Sequence, residues 1–127
     1  MIWTANALIA LIALAHIGFL VLEMFLWTKP LGLKIFQKNT PENEKAAKAR
    51  DSAVLAANQG LYNGFLAAGL FWGLVAVPAA FAFQIKVFFL LCVIIAGVYG
   101  AATIPSKNVL FLQAAPAAFA LILLWLA

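Results

Sequence analysis

Four blocks of apolar residues, at about 5–27, 53–77, 83–104 and 109–127, divide the sequence. Each is close to the roughly 20 residues that an α-helix needs to cross a bilayer. Inside hydrocarbon every backbone amide must find a partner without water, and for runs of this length the solution is a helix. Of the 127 residues 67% are apolar, more than a soluble domain of this size requires. The pattern predicts an all-α protein with one integral membrane domain, residues 1–127. It would be a four-helix transmembrane bundle, up-down-up-down, because short connections after the second and third runs force antiparallel neighbours.

Charge orients the bundle. Lys29, Lys34, Lys38, Lys45, Lys48 and Arg50 all lie between the first two runs, Lys107 between the last two, and Lys86 near the remaining loop. The positive-inside rule then places loops one and three in the cytoplasm and both termini outside. Trp3, Trp72 and Trp125 fall near the outer interface and Trp27 near the inner one, as an aromatic belt requires. Cations gathered in one loop of a membrane protein are a topological signal, so no nucleic-acid partner is expected. The first run lacks a basic segment before it and exceeds a signal-peptide core in length, which reads as an uncleaved span. Cys92 stands alone in mid-run and is expected to pack as a small hydrophobe. There is no nucleotide, phosphate-loop, haem or zinc motif; one histidine and one glutamate make no metal site, and no cofactor is expected.

Breakers place the boundaries. Lys29-Pro30-Leu31-Gly32 stops the first helix, and Leu31, Leu33, Ile35 and Phe36 alternate with cations as in a segment lying on a membrane surface. Thr40 suits a helix cap, Pro41 the first helical position, and Glu42 and Glu44 the positive end of the dipole. The second helix should therefore begin in the cytoplasm and run unbroken into its span, to end at Pro78. Lys86 is expected to snorkel to the near interface. Pro105-Ser106-Lys107-Asn108 forms a turn, and Pro116 sits inside the fourth span, where neighbouring helices can compensate for it.

The functional signal is Asn58-Gln59-Gly60-Leu61-Tyr62-Asn63-Gly64 in the second span. Taking Asn58 as zero at roughly 100° per residue, Tyr62 lies at about 40°, Gln59 at about 100° and Asn63 at about 140°. Gly60 and Gly64 fall at about 200–240°. That small-residue side suits close helix contact, either within the monomer or in a homo-oligomer, dimer or trimer. Gly69 and Gly73 read as a second packing pair. The polar side requires partners. Glu23, Tyr99 and Gln113 lie at similar depth from the cytoplasmic ends of their spans, with His16 deeper and seven residues from Glu23. The expected site is a cytoplasm-facing pocket lined by His16, Glu23, Asn58, Gln59, Tyr62, Asn63, Tyr99 and Gln113. It would bind or transport a small polar or amphipathic molecule, lipids included. Two alternatives stay open. One is an enzyme acting on a lipid-soluble substrate with His16 and Glu23 as catalytic acid–base pair. The other is a structural protein whose polar groups only bond helices together.

His16-x-x-Phe19…Glu23-x-Phe25-Leu26-Trp27-x-x-Pro30, the Asn58–Gly64 segment and Gln113-x-x-Pro116-Ala117 resemble a family of small bacterial membrane proteins. That family is catalogued as a domain of unknown function, number thirteen-zero-four. The resemblance covers nearly the whole chain and implies a four-span protein of the bacterial inner membrane, without an activity. A weaker likeness, in Arg50…Asn58…Tyr62, is to the membrane-associated eicosanoid and glutathione metabolism proteins. These share the architecture, but no glutamate follows Asn58 here and no later arginine matches, Lys107 being the only cation nearby.

Overall fold

The computed structural model describes residues 1–104 and 106–127, and all regular structure among them is helical. In order come α1 (Ile2–Met24), α2 (Pro30–Phe36), a 3-10 turn (Glu42–Glu44), α3 (Lys45–Val75), α4 (Ala79–Thr103), a π-helical turn (Leu110–Ala114) and α5 (Ala115–Trp125). The surface-lying segment expected after the first run is the short helix α2. Pro78 separates α3 from α4, as the sequence requires, and stands at the position just before the latter's first turn. Of the predicted turn at 105–108, Pro105 lies outside the described residues.

Two local expectations change. Thr40 does not cap α3: its hydroxyl donates to Gln37 Oε1 at 2.8 Å, and the 3-10 turn intervenes before Lys45. Near Pro116 the fourth apolar run is not uniformly α-helical. Proline offers no N–H and its ring crowds the carbonyl four residues back. The chain widens there into a π turn, with the Ala115 amide bonded to the Leu110 carbonyl.

α1 and α4 are long and apolar enough to cross a membrane. α3, at 31 residues, has the length, but Asn58, Gln59 and Asn63 make its inner stretch less apolar. Leu110–Trp125 is a shorter apolar helical stretch.

The chain forms two compact units. One comprises Met1–Leu14 with Leu66–Ala127, the other Ala15–Phe65. In the first, Ala5, Ile9, Ile12 and Ala13 form one stripe of α1, and they share a core with Ala67 and Leu70, Leu90 and Val93, and Ala117, Ala120 and Leu124. The three- and four-residue spacing is that of an apolar helix face. Alanine and glycine let the backbones approach. A Cβ at Gly97 would lie 2.6 Å from the Ala114 nitrogen, and one at Gly69 would overlap the Phe89 ring.

In the second unit the small face of α3 meets α1. A Cβ at Gly60 would come within 2.7 Å of Met24 Cγ, and one at Gly64 within 2.6 Å of Leu20 Cδ1. The glycine pair is thus occupied inside the chain. Trp27 closes this unit: its indole N–H donates to Ser52 Oγ at 3.0 Å, and its ring lies 4.4 Å from that of Phe36. Gly32 packs directly on the Leu26 and Trp27 carbonyl oxygens, where any side chain would overlap them.

Gly97→Ala should destabilise the protein by about 1–3 kcal/mol, because the added methyl meets backbone rather than a flexible side chain. Gly18 has open space around its Cβ position, so Gly18→Ala should be neutral or stabilise by up to about 1 kcal/mol. Thermal unfolding in detergent checks both.

Candidate functional site

Among the described residues, Lys86 is the buried polar residue of the unit Met1–Leu14 with Leu66–Ala127. It lies about two turns into α4, on the face that also carries Ala82, Ile85, Leu90 and Val93, and only 7% of it is exposed. Gly73 of α3 makes this burial feasible. A Cβ there would stand 2.7 Å from Lys86 Cγ, so the missing side chain leaves room for the lysine stem. At the end of that stem, Lys86 Nζ donates to Asn6 Oδ1 of α1 at 3.0 Å.

This pair stands at a cavity of about 520 Å³. Its walls come from the N-terminal turns of α1 and α4 and the C-terminal ends of α3 and α5, with Leu74, Phe83, Leu124 and Trp125 prominent. The Phe83 and Trp125 rings are 5.5 Å apart. The space is an open groove, apolar over most of its wall, with the Lys86 and Asn6 polar atoms at one side. Lysine has three N–H donors and the single Asn6 oxygen accepts one. The Lys86 ammonium, expected to reach toward the near interface, is bonded to Asn6, a residue not among the site candidates expected from the sequence. A signal did exist: both residues lie within about two turns of the ends that an up-down arrangement brings together.

The eight residues expected to line one chamber are placed as follows. In the unit Ala15–Phe65, Asn63 is buried and its amide donates to Glu23 Oε2 at 2.8 Å. His16 is fully buried, its ring edge-on to Phe19 at 5.3 Å. Asn58 and Gln59 are exposed, and Tyr62 is 54% exposed. The Asn58 amide folds back to its own helix, donating to the Val54 carbonyl at 2.9 Å. In the other unit Tyr99 is 69% exposed and Gln113 half-buried in the π turn.

Helix geometry explains the division within α3. Gly60 and Gly64 turn toward α1, so residues roughly opposite them, Asn58 and Tyr62, must turn away. Asn63 lies at the edge of the contact and alone among these reaches Glu23. Gln59 is likewise turned outward.

The profile of the family described as Protein of unknown function (DUF1304) matches residues 10–125. The chain belongs to this family. Glu23, Asn63 and Lys86 lie within the DUF1304 match, and Asn6 precedes it. No curated protein and no solved structure matches the sequence. The likeness to the eicosanoid and glutathione metabolism proteins finds no support.

The Glu23–Asn63 bond predicts measurable coupling. A double-mutant cycle of Glu23→Ala and Asn63→Ala should give about 0.6 kcal/mol, and at most about 1.7, as for hydrogen bonds between membrane helices, by thermal or denaturant unfolding. Additivity within error would show that the bond contributes nothing net.

Proposed function

We propose that this protein is a four-span bundle of the inner membrane that binds a small amphipathic molecule, its anionic or acceptor head at Lys86 and its tail among Phe83, Leu124 and Trp125. The observation that supports this most is a lysine whose stem is packed away, 7% of the residue being exposed, and whose ammonium meets one neutral acceptor at an open, mostly apolar groove. Its ammonium carries three N–H donors and Asn6 accepts one of them, which leaves donors for a ligand's oxygens. An anionic head supplies such acceptors while its tail lies along the apolar wall.

The four-span reading rests on α1 and α4, with α3 and the Leu110–Trp125 stretch completing the count. With the six cations of loop one in the cytoplasm, the turn between α3 and α4 lies outside, together with the cavity at its helix ends. The proposed site is thus at the opposite end from the inward-facing layer anticipated from Glu23, Asn58 and Gln113. Glu23 and Asn63 fit an interhelical tie better than an acid–base pair, since the carboxylate is held by an amide that relays no proton.

Binding is tested on full-length protein in neutral-lipid nanodiscs. Decyl phosphate and decanoate should raise the thermal midpoint, whereas decyltrimethylammonium should not. Lys86→Met, which keeps the stem's length, should weaken the anions about tenfold or more, the loss of one charge-assisted bond. Equal binding of the cation, or unchanged affinity in Lys86→Met, would refute the assignment.

Orientation has its own check. In a Cys92→Ser background, Ala80→Cys should react with an impermeant maleimide on the outer face of intact cells and Asn43→Cys should not. The reverse pattern would invert the topology and place the cavity inside.

A further inference from the structure

The unit Ala15–Phe65 holds a second concavity, of about 420 Å³, built on loop one. Its walls are Pro30, Leu33, Lys34 and Lys38, with Glu42 and Lys45 from the approach to α3. Lys45 Nζ is paired with Glu42 at 2.8 Å. Among the described residues, neither Lys34 nor Lys38 has an acid within ion-pair distance. Two uncompensated cations thus share one groove.

The surroundings indicate what would enter it. α2 is fixed in place by Gly32 on the Leu26 and Trp27 carbonyls and by the Trp27–Phe36 ring contact. Seated so, it leaves Leu31 49% and Ile35 41% exposed. Leu31, Lys34 and Ile35 fall at i, i+3 and i+4, so one exposed face offers apolar side chains with a lysine among them. A helix of that kind lies at a bilayer surface, its apolar side chains at the acyl boundary and its lysines at the level of the phosphates.

We infer that the Lys34–Lys38 groove is a headgroup site for an anionic glycerophospholipid. The lysines take the phosphate, and Leu31 and Ile35 lie against the upper acyl chains. Free phosphate has the same charge chemistry but gains nothing from the two apolar side chains. The site is independent of the Lys86 cavity and stands or falls separately.

The test titrates full-length protein in neutral detergent with dioctanoyl phosphatidylglycerol, dioctanoyl phosphatidylcholine and inorganic phosphate, read by native mass spectrometry and thermal shift. Wild type should bind phosphatidylglycerol about tenfold or more tightly than the other two. Lys34→Gln/Lys38→Gln should lose about tenfold in phosphatidylglycerol affinity while staying monodisperse. Lys29→Gln/Lys48→Gln removes the same charge from outside the groove and should stay within about twofold of wild type. Lys86→Met should leave this binding unchanged. The inference is overturned if the groove variant binds as wild type does, if both lysine pairs lose affinity equally, or if inorganic phosphate competes as well as the lipid.

Discussion

A lysine whose stem packs among apolar side chains must lead its ammonium to acceptors, and the Lys86–Asn6 bond at the edge of the groove answers that demand here. Three elements meet its terms. α4 sends the lysine inward, Gly73 of α3 yields the space for its stem, and α1 supplies the amide oxygen. A leucine in place of Lys86 would need no acceptor, so the lysine is not required by packing, and an alanine in place of Gly73 would press on its stem. The position of the ammonium at the groove is what links it to a ligand.

Elsewhere the core combines large side chains such as Ile9, Leu70 and Leu90 with small residues at the closest helix contacts. Gly97 against Ala114, Gly69 against Phe89, and Gly60 and Gly64 against α1 are such contacts. The glycine face of α3 also decides which polar groups are buried. Once it is turned to α1, Asn63 reaches Glu23 while Asn58 and Tyr62 are turned outward.

Much of this was legible in the residues. The all-α class and the break at Pro78 follow from apolar run length and proline chemistry; that the segment after Lys29 forms a helix, Pro30–Phe36, does not. The polar side of α3 was located correctly on the helix wheel, but its direction was not, because periodicity gives relative angles and not which side faces a neighbour. The glycines at 60 and 64 held that information: the side that can approach closest is the side that packs. The Asn6 acceptor of Lys86 was not legible, because one residue's depth does not reveal an acceptor on another helix. The π turn before Pro116 depends on how the chain relieves a local clash, which no apolar pattern encodes.

The most direct measurement is an experimental structure of the protein in lipid nanodiscs with decyl phosphate bound. The account predicts phosphate oxygens at about 3 Å from Lys86 Nζ, with Asn6 retained and the alkyl chain running past Phe83 and Leu124. Lys86 Nζ turned out to interfacial water, with the head group bound elsewhere, would contradict it.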